Sequence, residues 1–203
     1  MSFGFSGVNR PGFNDFKPFY LTSRQIQSVE FPCQTVHLIA SLVLAFSPFR
    51  QAKEIVLLRC NLGEIDPNLA KNSEATQFVI TGGHKLTHID FMYKAKNKPT
   101  SLVITGAHSI LHLSPSPDCK NCSEEHLSDL HELVLTGAHS LEDIPIQKLK
   151  NLKELVITGG DHFQMLDQIK AVQRQFNYIN ISYASHFKDY VFHRDAGSNE
   201  SKS

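Results

Sequence analysis

The apolar positions of this 203-residue chain fall into one short motif that returns at constant phase. Phe78-Val79-Ile80-Thr81-Gly82-Gly83-His84 recurs as Leu102-Val103-Ile104-Thr105-Gly106-Ala107-His108 and as Leu133-Val134-Leu135-Thr136-Gly137-Ala138-His139. It recurs again as Leu155-Val156-Ile157-Thr158-Gly159-Gly160-Asp161-His162. Weaker copies stand at Ile55-Val56-Leu57-Leu58-Arg59-Cys60 and at Ile179-Asn180-Ile181-Ser182-Tyr183-Ala184. The first residues of successive copies are 23, 24, 31, 22 and 24 positions apart. Successive side chains of a strand point to opposite faces, so each copy predicts a short strand that sends its first and third residues into a core. Leu130 and Leu152 precede two of the strands by three positions, and Leu86, Ile110 and Leu141 follow three of them. Ile65, Ile89, Leu113, Ile144 and Leu166 come three positions later again. A unit this small can bury its apolar side only against its neighbours, which predicts a stacked array.

Leu130-His131-Glu132-Leu133-Val134-Leu135 and Leu152-Lys153-Glu154-Leu155-Val156-Ile157 both read Leu-x-x-Leu-x-Leu. In this form, and in a spacing that mostly lies within a period of about 20–29 residues, the chain resembles the leucine-rich-repeat family. The resemblance covers roughly Gln51 to Tyr190, with one degenerate copy around Val29-Glu30-Phe31. It implies an α/β leucine-rich-repeat solenoid of about six or seven coils. A parallel sheet would form its inner face, with loops and short helices or 3-10 turns outside. It also implies protein recognition. The position where the family usually places a turn-bonding Asn holds Cys60, Gly83, Ala107, Ala138, Gly160 and Ala184. None of these offers a side-chain hydrogen bond, which predicts looser turns. The column Thr81, Thr105, Thr136 and Thr158 is expected to substitute in part, its hydroxyls bonding to one another or to the turn. Ile144-Pro145, followed by Leu149 and Leu152, resembles repeats of extracellular members and tilts the expected location outside the cell, although no signal peptide is visible.

Stacking in register aligns three columns on the open face of the sheet. The first is Glu54, Gln77, Ser101, Glu132, Glu154 and Tyr178; the second is Val56, Val79, Val103, Val134, Val156 and Asn180; the third is Leu58, Thr81, Thr105, Thr136, Thr158 and Ser182. An exposed valine stripe between an acidic edge and a threonine edge reads as a contact surface for a protein partner. Val56, Val79, Val103, Val134, Val156, Glu132, Glu154, Thr105 and Thr136 are its candidate binding residues. The plainer account is that β-branched residues suit any strand position. The alternative functions are a structural or surface-coating role for flat Val-x-Thr columns and an enzyme whose site the sequence hides.

Composition narrows the partners. Twenty Lys and Arg balance twenty Asp and Glu, so the basic surface that phosphate neutralisation needs is missing and nucleic acid is not expected. The longest apolar run, residues 36–46, is far short of the about 20 residues that cross a bilayer and reads as a core segment. No phosphate-cradling loop or catalytic constellation stands out, because Thr-Gly-Gly-His and Thr-Gly-Ala-His are repeat turns and the histidines are serial. No enzyme activity and no cofactor are therefore expected. Residues 1–21 are rich in Phe, Gly and Pro and read as an N-terminal cap; the array spans 22–192; and 193–203 read as a disordered tail. A short helix is expected over Lys170–Phe176.

The long spacing places an inserted loop at 114–126, carrying Cys119-x-x-Cys122 with His126 after it and His112 before it. This could offer two thiolates and two imidazoles to zinc. Without a second pair at a standard spacing, however, a disulfide, a loop tie or free thiols is the favoured reading, and no metal is expected. His84 with His88, and His108 with His112, repeat an i, i+4 pair, but they follow a strand and the spacing loses its helical meaning. His84, His108 and His139 share one phase, which predicts three imidazoles in a row that repel when protonated. Of the glycosylation sequons at Asn121, Asn180 and Asn199, only Asn121, on the loop, reads as both ordered and accessible, while Asn180 sits mid-strand on the open face.

Overall fold

The computed structural model describes residues 28–32, 50–183 and 189–194. The expected N-terminal cap, the apolar run 36–46 and the end of the chain from 195 lie outside the described residues. Among the described residues eight strands form one sheet whose spatial order is the order in the chain. They are β1 (Ser28–Pro32), β2 (Glu54–Leu58), β3 (Gln77–Ile80), β4 (Ser101–Thr105), β5 (Glu132–Thr136), β6 (Glu154–Thr158), β7 (Tyr178–Ser182) and β8 (Tyr190–His193). β1 to β7 run parallel, and β8 returns antiparallel on β7. Among the helices that lie wholly within the described residues, α1 (Pro67–Lys71), α2 (Asp90–Tyr93) and α3 (Leu166–Ala171) occupy connections between parallel strands. The class is α/β with a mostly parallel sheet.

Register follows the repeated motif. Val56 pairs with Val79, Val79 with Val103, Val103 with Val134, Val134 with Val156, and Val156 with Asn180. The 31-residue spacing leaves this intact, because the extra residues are accommodated between β4 and β5. The degenerate copy is β1, with Val29 opposite Ile55. At the other end the chain is ordered one residue beyond the expected start of a disordered tail at 193. His193 belongs to β8 opposite Tyr178, and Arg194 N–H donates to the Asn177 carbonyl at 2.9 Å. The helix expected over Lys170–Phe176 is α3, starting earlier at Leu166, followed by a 3-10 turn at Gln173–Gln175.

Alternation puts Leu102, Ile104, Leu133, Leu135, Leu155, Ile157, Ile179 and Ile181 at zero exposure on one side of the sheet. The following anchors Leu86, Ile110 and Leu141 are buried with them, as are the preceding anchors Leu130 and Leu152. Each such side chain contributes about 1.5–3 kcal/mol over leaving it in water. Phe78 meets Phe91 of α2 edge to face at 5.6 Å between ring centres, a geometry the aromatic quadrupole favours. Pro67 opens α1 behind Asp66, whose carboxylate accepts from Asn68 N–H at 2.8 Å; this satisfies a donor that the first helical turn leaves free.

The inserted loop is pinned by side chains from α2. One Asp90 carboxylate oxygen accepts from Ser116 N–H at 2.9 Å and the other accepts from the Ser116 hydroxyl. The buried Tyr93 hydroxyl donates to the Leu113 carbonyl, and burial pushes that phenol well above its usual range, helped by Glu124 and Asp90. The loop closes through a 3-10 turn at Glu124–Leu127, where Ser123 Oγ accepts from Glu125 N–H.

Candidate functional site

The turns that leave the sheet are tied rather than loose, which corrects the sequence expectation. The small residue in each turn donates its N–H to the carbonyl of the next repeat's strand end: Gly83 to Thr105 at 2.9 Å, Ala107 to Thr136 at 2.9 Å and Ala138 to Thr158 at 2.8 Å. Absence of a side-chain amide is made good by backbone pairing. The threonine column adds a second tie. Thr81 Oγ1 accepts from Arg59 N–H at 3.1 Å, Thr105 Oγ1 from Gly82 N–H at 3.3 Å, and Thr158 Oγ1 from Gly137 N–H at 3.3 Å. These hydroxyls serve the turn of the preceding repeat.

That turn needs a left-handed residue. Gly82, Gly106, Gly137 and Gly159 have φ between 66° and 73°, and Arg59 stands at the equivalent position with φ 56°. Glycine also makes room for an imidazole. A Cβ on Gly106 would lie 2.6 Å from His84, one on Gly137 2.8 Å from His108, and one on Gly159 2.9 Å from His139. Each histidine therefore lies across the glycine of the next repeat.

The expected histidine row is present. His84 and His108 ring centres are 4.5 Å apart, and those of His108 and His139 are 5.1 Å apart. His84 Nδ1 faces His108 Nδ1 at 3.3 Å, while His139 Nδ1 lies 3.2 Å from Asp161 Oδ2. Asp161 occupies the histidine phase of the next copy, so the row ends on a carboxylate. His108 is held below the usual histidine range, first by desolvation of the ring in this packed row and then by the charges of His84 and His139. The intrachain i, i+4 pairs do not form a unit: His112 leans instead on Asp143, with 3.0 Å between Nδ1 and Oδ2.

On the open face the five valines Val56, Val79, Val103, Val134 and Val156 are half-buried, and the stripe is less exposed than the sequence suggests. Strands about 4.8 Å apart let each valine cover its neighbour. Glu54 and Glu132 are half-buried, Gln77 and Glu154 are exposed, and Ser101 is buried, its hydroxyl donating to Glu132 Oε2 at 2.6 Å. Thr105 and Thr136 are half-buried beside the valines. The candidate contact residues thus lie on one continuous face, as their phase requires.

Cys119 and Cys122 are joined in a disulfide, with Cα atoms 5.6 Å apart. The tie removes both thiolates from any zinc set with His112 and His126. His126 Nε2 is buried without a hydrogen-bond partner among the described residues. Burial holds that imidazole below the usual range, aided by Lys98 and opposed by a backbone hydrogen bond at Ala95 and by Asp129. Asn121 is exposed with φ 63°, whereas Asn180 is half-buried in β7 and donates to the Tyr178 hydroxyl at 3.1 Å. Among the described residues no helix is long and apolar enough to cross a membrane.

Sequence periodicity did not reveal the left-handed Arg59 or the tether from Asp90 to Ser116. The first could have been found by reading Arg59 at the glycine phase of the motif; the second has no local signal. No family model, curated protein or solved structure matches the chain.

Proposed function

We propose that the chain is a leucine-rich-repeat solenoid that acts as a non-catalytic protein-recognition module, binding its partner through the open sheet face. The observation carrying this reading is the in-register column Val56, Val79, Val103, Val134 and Val156, a continuous apolar track beside carboxylates at Glu132 and Glu154. Rigid strands hold those side chains in fixed relative positions, which limits the entropy lost on binding. A partner that brings apolar side chains to the valines and basic groups to the glutamates fits the face. The surface-coating alternative draws less support, since the Thr81, Thr105 and Thr158 hydroxyls are engaged by turn N–H groups. The Cys119–Cys122 disulfide favours an oxidising, extracellular setting.

The test replaces Val103 and Val134 together by Glu. The core is untouched, so the melting profile should stay close to wild type while a partner captured from native extract is lost. An unchanged dissociation constant for that partner in the folded double variant would sink the reading.

A further inference from the structure

We propose that His84 and His108 form a two-imidazole chelate for a borderline divalent transition metal such as Cu²⁺, Ni²⁺ or Zn²⁺ at the turn edge of the sheet. The inference is independent of the open-face reading, because the two residues lie beyond the strand ends.

The geometry starts from the separation of donors. His84 Nδ1 and His108 Nδ1 are 3.3 Å apart. Two nitrogen ligands at about 2.0–2.1 Å from one tetrahedral ion are themselves about 3.3–3.4 Å apart. The pair therefore already has the spacing that one ion would impose. Both residues are exposed, so an ion reaches them from solvent. Their placement is restricted by the fold: each follows a strand in the parallel ladder, and Gly106 and Gly137 supply the surfaces on which the two rings lie. The two donors already stand at chelate spacing, which lowers the entropy lost on binding; to offer both lone pairs, the ring that donates in the Nδ1–Nδ1 hydrogen bond takes the tautomer protonated at Nε2.

Next in the row, His139 is 5.1 Å from His108 between ring centres and directs Nδ1 to Asp161. It is occupied and is not a member of the chelate. Among the described residues no three His, Cys, Asp or Glu side chains form a ready ligand set. Two protein ligands and water thus complete the shell, leaving open positions. Imidazole donors favour Cu²⁺, Ni²⁺ and Zn²⁺ over Ca²⁺ and Mg²⁺, and Cu²⁺ should bind tightest of the divalent series. The competing account is a single hydrogen bond between two neutral imidazoles, which needs no metal.

The experiment is isothermal titration of the full chain, stripped with chelator and returned to chelator-free buffer at pH 7.5, with NiCl₂, ZnCl₂ and CaCl₂. His84→Gln, His108→Gln and, as controls, His112→Gln and His139→Gln are measured alongside, with circular dichroism to confirm folding of these surface variants. One nickel or zinc ion per chain is expected, with no calcium heat. His84→Gln and His108→Gln should each weaken nickel binding by roughly tenfold or more, while His112→Gln stays within about threefold of wild type and His139→Gln, whose ring neighbours His108, loses less than either ligand variant. No saturable nickel or zinc binding below about 1 mM, or affinity retained by either His84→Gln or His108→Gln, overturns the proposal. Loss of equal size in a control would also overturn it, because the ion would then be held elsewhere or by a diffuse set of histidines.

Discussion

The imidazole of His84 lies against Gly106, so closely that a Cβ at that glycine would be 2.6 Å from the ring. Gly106 also has φ 73°, a region that costs an ordinary L-residue about 1–2 kcal/mol. Two separate penalties therefore meet at one position. Gly106→Ala should destabilise the protein by about 1–3 kcal/mol, read by urea unfolding. In a His84→Ala background the same substitution should cost less, because only the backbone penalty remains. Equal losses in both backgrounds would show that the ring yields freely and that the close approach carries no energy.

Arg59 adopts at φ 56° the left-handed position that later repeats give to glycine. Arg59→Gly relieves that strain but adds freedom to the unfolded chain, a cost of about 0.5–1 kcal/mol. The difference predicts a net gain of roughly 0.5–1 kcal/mol. The backbone N–H that donates to Thr81 Oγ1 is retained. A lower melting temperature for Arg59→Gly would contradict the prediction.

His108 is crowded by His84 on one side and His139 on the other, with Asp161 beyond His139. Its folded pKa lies below the ordinary histidine value of about 6.5. The folded state therefore binds fewer protons at this group than the unfolded state does. Its contribution to stability is present above the unfolded pKa and is lost as pH falls through the folded value. Melting temperature in chelator-containing buffer should accordingly be lower at pH 5 than at pH 7.5, and His108→Gln should remove part of that difference. Superimposable pH profiles for the two proteins would mean that the row is not coupled to folding.

Cys119 and Cys122 should resist alkylation in the folded protein until a reductant is added. Peptide mass spectrometry should find the segment spanning both residues two hydrogens lighter than its reduced form, consistent with the disulfide. Both thiols accepting alkylating agent without reduction, or zinc lost on a double Cys-to-Ser substitution, would show that the loop is held in another way.

The repeated motif by itself determined where the parallel strands β2 to β7 lie, which side of each is core, and which residues share a column. Val103 and Val134 could be placed side by side from their phase alone, despite the inserted loop between them. The physical reason is that strand alternation is local and each repeat packs chiefly on its neighbours, so equivalent positions align when phase is preserved. The same phase brought His84, His108 and His139 into one row. It could not decide which way their rings turn, because a rotamer depends on atoms more than twenty positions away. Only the tertiary structure sets His84 Nδ1 against His108 Nδ1 and gives His139 to Asp161. It also decided that the valines are half-buried, that the threonine hydroxyls accept from the preceding turn, and that β8 reverses direction so that its last residue, His193, pairs with Tyr178. Those outcomes depend on how closely neighbouring repeats approach and on which polar groups the approach leaves unpaired, and neither quantity is written in the period of a single chain segment.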